Sequence, residues 1–81
     1  MSPQEEKIIK FISLHLGLEA KEIQLDSHFF DDLNIDKMAL ADLYLAIQTE
    51  FGVKLPPQEL GQVQTVADLV KLIEEGSDEF L

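Results

Sequence analysis

Apolar positions recur at helical spacing in three stretches of the chain and lose that spacing between the first two. Ile8, Ile12 and Leu16 fall four residues apart with Ile9 beside them, which places them on one face of a helix. Ser2-Pro3-Gln4-Glu5 precedes them as a capping box. The serine oxygen accepts a free amide of the first turn, Pro3 has no N–H to satisfy, and Glu5 reaches back. Gly17 supplies a left-handed stop.

The second stretch carries Leu40, Leu43, Tyr44, Ile47 and Phe51, a stripe at i, i+3, i+4 spacing. Asp36 is a good N-cap, so a helix is predicted from Lys37 to Phe51 with Gly52 ending it. Met38, Ala41 and Leu45 lie on other faces. Such a helix is apolar around much of its circumference, and it either sits centrally or leaves surface for a partner.

Leu55-Pro56-Pro57 breaks the chain, and Pro57-Gln58-Glu59-Leu60 predicts one short turn ended by Gly61. Thr65-Val66-Ala67-Asp68 reads as a second capping signal. It opens a third helix whose Val66, Leu69, Val70 and Ile73 form one stripe. Gly76 is expected to close this helix and Ser77 to Leu81 to fray.

Between Leu18 and Ile35 the apolar residues are spaced irregularly among acids. A connection this long inside a small domain is either functional or tied down by its own side chains. Phe29 and Phe30 are the expected anchors, with His28 capping or packing the loop. The expected architecture is all-α: residues 1–81 form a single domain, a bundle of three longer helices and one short helix, packed antiparallel, with a long loop between helices 1 and 2.

With 81 residues the chain has room for one modest core, since a domain this small buries only about 60% of its unfolded surface. It carries 16 acidic and 6 basic residues, a net charge of −10. That field repels phosphate backbones and anionic headgroups, so nucleic acid and membrane surfaces are poor partners and basic protein surfaces good ones. Cysteine is absent, which removes disulfides, thiolate nucleophiles and zinc–thiolate sites. The first residues lack the basic and apolar segments of a secretory leader, and the expectation is a cytoplasmic monomer.

The order of these elements and several particular residues resemble the acyl carrier protein family. Ser27-His28-Phe29-Phe30-Asp31-Asp32-Leu33-Asn34-Ile35-Asp36 is similar to the segment leading to that family's modification site, a phrase ending Asp-Leu-Gly-x-Asp-Ser-Leu. Asp42-Leu43, Glu50-Phe51-Gly52, Leu55-Pro56 and Thr65-Val66-Ala67-Asp68-Leu69 follow in the family's order and spacing. The likeness covers nearly the whole chain and implies a four-helix carrier fold with 4'-phosphopantetheine, serving fatty-acid or related biosynthesis.

The resemblance also implies a serine after the last aspartate of that phrase, carrying phosphopantetheine through a phosphodiester. Here that position is Lys37, followed by Met38. Lysine has no hydroxyl, so no phosphopantetheine is expected on it. A cation in the first turn also opposes the helix dipole, where a phosphate would be favoured. Where the family implies acids along the exposed side of the second helix, this chain has Ala39, Asp42, Leu45, Gln48 and Thr49.

Three readings follow. The first is a non-carrier homologue that binds protein partners through the second helix and the loop before it, with Asp36, Lys37, Met38, Asp42 and Leu45 at the contact surface. The second is a working acyl or peptidyl carrier whose site serine is altered or replaced by another. The third takes Asp36-Lys37-Met38-Ala39 as a lysine-attached cofactor motif of the lipoyl or biotinyl kind, although those motifs sit on tight turns of all-β domains.

Asp32, Asn34 and Asp36 match the first three ligand positions of a calcium loop. The required glycine falls on Lys37 and the bidentate glutamate on Leu43, so no metal site is expected. His15 and His28 have no nucleophile placed beside them by a known motif, and the chain is not expected to be an enzyme.

Overall fold

The computed structural model describes residues 2–78, with side chains to residue 76. Helix α1 spans Pro3–Leu16, α2 spans Lys37–Phe51 and α3 spans Val66–Asp78. Two 3₁₀ segments, Ala20–Glu22 and Pro57–Gln62, lie in the connections. The second of these is the short helix of the bundle.

The capping chemistry explains where the helices begin. Ser2 Oγ accepts from Glu5 N at 3.1 Å and Glu5 Oε1 from Ser2 N at 2.8 Å, which completes the capping box and, through the backbone bond above all, holds the Glu5 carboxyl below its ordinary range. Asp36 Oδ1 accepts from Ala39 N at 2.8 Å. Thr65 Oγ1 and Asp68 Oδ2 exchange bonds with each other's amides at 3.2 and 3.0 Å. Gly17 and Gly52 close α1 and α2 with φ of 72° and 64°, a region in which only glycine is free of strain.

The buried face of each helix is its apolar stripe. Ile8, Ile12, Leu43, Ile47, Val66, Leu69 and Ile73 are fully enclosed, with Leu40, Tyr44 and Val70 nearly so. Tyr44 donates its hydroxyl to Pro56 O at 2.6 Å, and burial, helped by the Glu59 carboxylate, raises the phenol above its ordinary range. His15 meets Asp42 while Phe11, one turn earlier on α1, meets Phe51 late on α2. The two helices are therefore antiparallel. Helix α3 starts against residues 25–27 and ends against residues 53–55, so it runs in the same sense as α2, with the Pro57–Gln62 segment on the return path; the expected antiparallel packing holds for α1 and α2 but not for α2 and α3.

The long loop is tied down as its phenylalanines predict. Phe29 is completely buried and Phe30 packs on the core. Backbone bonds complete the anchorage: Phe29 N donates to Gln64 O at 2.9 Å, Val66 N to Ser27 O at 3.0 Å and Ala67 N to Leu25 O at 2.8 Å. Two amides of the first turn of α3, which have no partner inside the helix, are thus satisfied by the loop. His28 Nδ1 accepts from Phe30 N and Asp31 N, both at 3.3 Å. His28 and Thr65 also form an isolated antiparallel bridge.

Two expected stops are corrected. Helix α3 does not end at Gly76 but continues to Asp78, and Ser77 and Asp78, expected to fray, belong to it. Residues 79–81, the rest of that expected tail, lie outside the described residues. Gly76 is buried, and a Cβ there would sit 3.3 Å from Lys54 O and 3.5 Å from Val53 Cβ. The glycine serves close approach to the segment after α2, not a left-handed turn. Gly61 likewise ends nothing, because the 3₁₀ segment runs through it to Gln62.

Candidate functional site

The candidate residues Asp36, Lys37, Met38, Asp42 and Leu45 span the N-terminal half of α2 and its cap. Asp36 sits at the N-cap, its carboxylate bound to Ala39 N, and the chain enters it from Asn34, whose φ of 58° lies in the left-handed region. A short amide side chain tolerates that conformation better than most residues. Ile35 N donates to Phe29 O at 3.1 Å, so the entry to α2 is fixed to the same loop that caps α3.

The five residues do not form one constellation. Asp36 and Asp42 line an open depression of about 390 Å³ between α1 and α2, together with His15, Leu16, Asn34, Ile35 and Ala39. Asp42 Oδ2 accepts from His15 Nε2 at 2.8 Å. Lys37, Met38 and Leu45 stand outside this depression. Met38 is 83% exposed and Leu45 64% exposed, and with Ala41 between them they follow i, i+3, i+7 spacing. That spacing forms an apolar seam along the outer side of α2.

His15 is the residue that sequence reading missed. It lies 27 positions before Asp42, and no short-range pattern links the two. Only the antiparallel packing of α1 on α2 brings them together.

Lys37 is the first residue of α2, is exposed, and forms no ion pair among the described residues. The first turn of α2, Lys37-Met38-Ala39-Leu40, holds no hydroxyl. The serine hydroxyls with described side chains are engaged elsewhere: Ser2 in the α1 cap, Ser13 donating to Leu18 O at 2.5 Å, and Ser27 accepting from Gln24 N at 2.9 Å.

The carboxylates of the calcium-like run are spent on backbone amides. Asp32 Oδ2 accepts from His28 N at 2.7 Å and Asp36 Oδ1 from Ala39 N. Among the described residues no group of three or more histidines, cysteines or acids is placed to hold a metal ion. No helix among them is long and apolar enough to cross a membrane.

Comparison with known proteins identifies the class to which this architecture belongs. The family model described as the phosphopantetheine attachment site matches residues 6–73, from α1 to the last buried turn of α3, and the chain belongs to that family, the acyl carrier proteins. It is 38% identical over 71 residues to the acyl carrier protein of Rickettsia bellii strain RML369-C, covering 88% of this chain and 83% of that one. It is 35% identical over 74 residues to the acyl carrier protein of Clostridium acetobutylicum, covering 91% and 96%.

Among solved structures, the apo doublet acyl carrier protein from prodigiosin biosynthesis superposes with a TM-score of 0.77 at 22% identity. The match covers 89% of this chain and 35% of that protein, and it bears on the fold alone. Members of the family are carrier proteins carrying a phosphopantetheine group, not enzymes, and they work by meeting partner proteins.

Proposed function

We propose that this chain is a non-carrier acyl carrier protein homologue, a protein-binding module that uses α2 and the loop before it as its contact surface. The observation that carries this reading is Lys37 at the first position of α2, where the family resemblance expects the attachment serine. The family's phosphodiester needs a hydroxyl oxygen; an amine does not supply one. The residues present therefore do not fit the prosthetic group at this position.

The outer side of α2 supports a contact surface of apolar character. Met38 and Leu45 are held in water although large apolar side chains gain from burial. Asp42, the one acid among the exposed positions of that helix singled out above, is paired with His15. Partners of this surface are therefore proteins that bring apolar side chains between Lys37 and Leu45. A net charge of −10 favours such partners over nucleic acid or anionic membrane, and we place the protein in the cytoplasm as a monomer.

A second reading, a working acyl carrier with its attachment group on another residue, draws support from relatives that bear the name acyl carrier protein at 35–38% identity. Intact mass separates the two. The protein is weighed before and after incubation with coenzyme A and a broad-specificity phosphopantetheinyl transferase, beside the variant Lys37→Ser. No gain on the natural chain and one phosphopantetheine on Lys37→Ser supports the non-carrier reading. A gain on the natural chain overturns it, and peptide mapping then locates the modified residue.

A further inference from the structure

One face of α1 carries Lys7, Lys10, Phe11 and Leu14, at i, i+3, i+4 and i+7, with Phe11 half-buried against the core and the other three exposed. With Glu50 and Phe51 at the end of α2 they line an open groove of about 280 Å³. The floor is aromatic: Phe11 meets Phe51 edge to face with ring centroids 5.8 Å apart. Leu14 stands 75% exposed at one end. This groove shares no lining residue with the Asp36–Asp42 depression.

The charge of this face is opposite to that of the chain. Two of the six basic residues of a protein with net charge −10 lie side by side here. Neither Lys7 nor Lys10 forms an ion pair among the described residues, and Glu50 is the one acid on the groove wall. A basic ligand is drawn by the rest of the surface. An acidic ligand is repelled by it and finds its complement only where cations are concentrated beside apolar surface.

We propose that the groove is a second docking surface, taking an acidic segment of another protein in which a bulky apolar side chain is flanked by carboxylates. The apolar side chain lies on Phe11, Leu14 and Phe51 while the carboxylates meet Lys7 and Lys10. This site stands independently of the reading of Lys37, because neither its residues nor its ligand chemistry involve the start of α2.

The test is a ¹⁵N correlation-spectrum titration of the whole chain with a blocked hexapeptide carrying Leu-Phe between paired glutamates. A second peptide with lysines in place of the glutamates serves as control. Saturable shifts confined to α1 and the end of α2, absent with the lysine peptide, are expected. The double variant Lys7→Glu/Lys10→Glu should weaken binding by about tenfold or more, and added salt should weaken it further. Leu14→Asp, a change at an exposed position, should also weaken binding, with the free protein keeping the spectrum of the folded chain outside the neighbours of residue 14. Equal binding of both peptides, shifts centred on Met38 and Leu45, no saturable shift, or shifts that depend on protein concentration without peptide would each overturn the proposal, the last by showing a second copy in the groove.

Discussion

His15 on α1 donates through Nε2 to Asp42 on α2 at 2.8 Å, and the imidazole is stacked on Phe11 with ring centroids 5.8 Å apart. A carboxylate can only accept, so Nε2 is the donor in this contact. The bond ties the last turn of α1 to the second turn of α2, across the depression that Asp36 also lines. It gives the exposed Asp42 carboxylate a partner within the chain.

The His15–Asp42 pair is solvent-accessible, with the aspartate side chain 74% exposed, so its stabilising effect is small. A double-mutant cycle with His15→Ala and Asp42→Ala, followed by urea unfolding, should return a coupling of about 0.2–1 kcal/mol that shrinks with salt. Zero coupling at low salt would show that the helices are registered by their apolar stripes alone.

Phe29 has a larger part to play. It is fully buried, and its amide and carbonyl bond to Gln64 O and Ile35 N, so one residue joins the loop, the entry to α2 and the approach to α3. Phe29→Ala should cost about 3–5 kcal/mol, the range for deleting a buried aromatic. In a domain whose whole stability is about 5–15 kcal/mol, that leaves little. Leu45→Ala, on the exposed seam, should change the denaturation midpoint by less than about 0.5 kcal/mol while weakening any partner that docks on α2.

These contrasts mark what was legible from residues alone. Local signals were: the Ser2–Glu5 box, the Asp36 cap and the glycines at 17 and 52 each act within one helical turn, and their chemistry is written in adjacent letters. The apolar stripes were legible for the same reason, since a period of 3.6 is a local property. Relationships across the bundle were not. His15 and Asp42 are separated by 27 positions, and the bridge between His28 and Thr65 exists only because the loop folds onto α3. The candidate site was legible as a set of residues on one helix, but its division into a depression facing α1 and a seam facing water depends on which side α1 packs.

Asp68 connects capping to pH. The amide of Gln64 above all, joined by the amide and hydroxyl of Thr65 and the charge of Lys71, holds its carboxyl below the ordinary range against the opposing effect of burial. A depressed carboxyl contributes stability that is fully present above its unfolded value of about 3.9 and is lost as pH falls through the folded one. Asp68→Asn should therefore lower stability at pH 7 by about 1 kcal/mol, as for a lost cap. The gap to the parent should close at pH below the ordinary carboxylate range. Denaturant midpoints measured from neutral to acid pH check both halves, and a gap that stays constant to low pH would refute the assignment.

Gly76 separates two uses of glycine. Alanine in place of glycine gains about 1 kcal/mol of helix propensity, so a mid-helix glycine with no steric duty should be improved by substitution. At Gly76 the added carbon meets Lys54 O at 3.3 Å and Val53 Cβ at 3.5 Å, and the oxygen belongs to backbone that is held in place by Val53 and Leu55, both buried. Larger side chains cannot be seated without moving α3 off that segment. Gly76→Val should thus destabilise by about 1–3 kcal/mol, the cost of overpacking. Gly61→Ala, where nothing lies within 4 Å and φ is not left-handed, should be neutral within about 0.5 kcal/mol. Thermal and urea unfolding of the two variants side by side decide the matter. If Gly76→Val matches the parent, the contact between α3 and the Val53–Leu55 segment is looser than its distances imply.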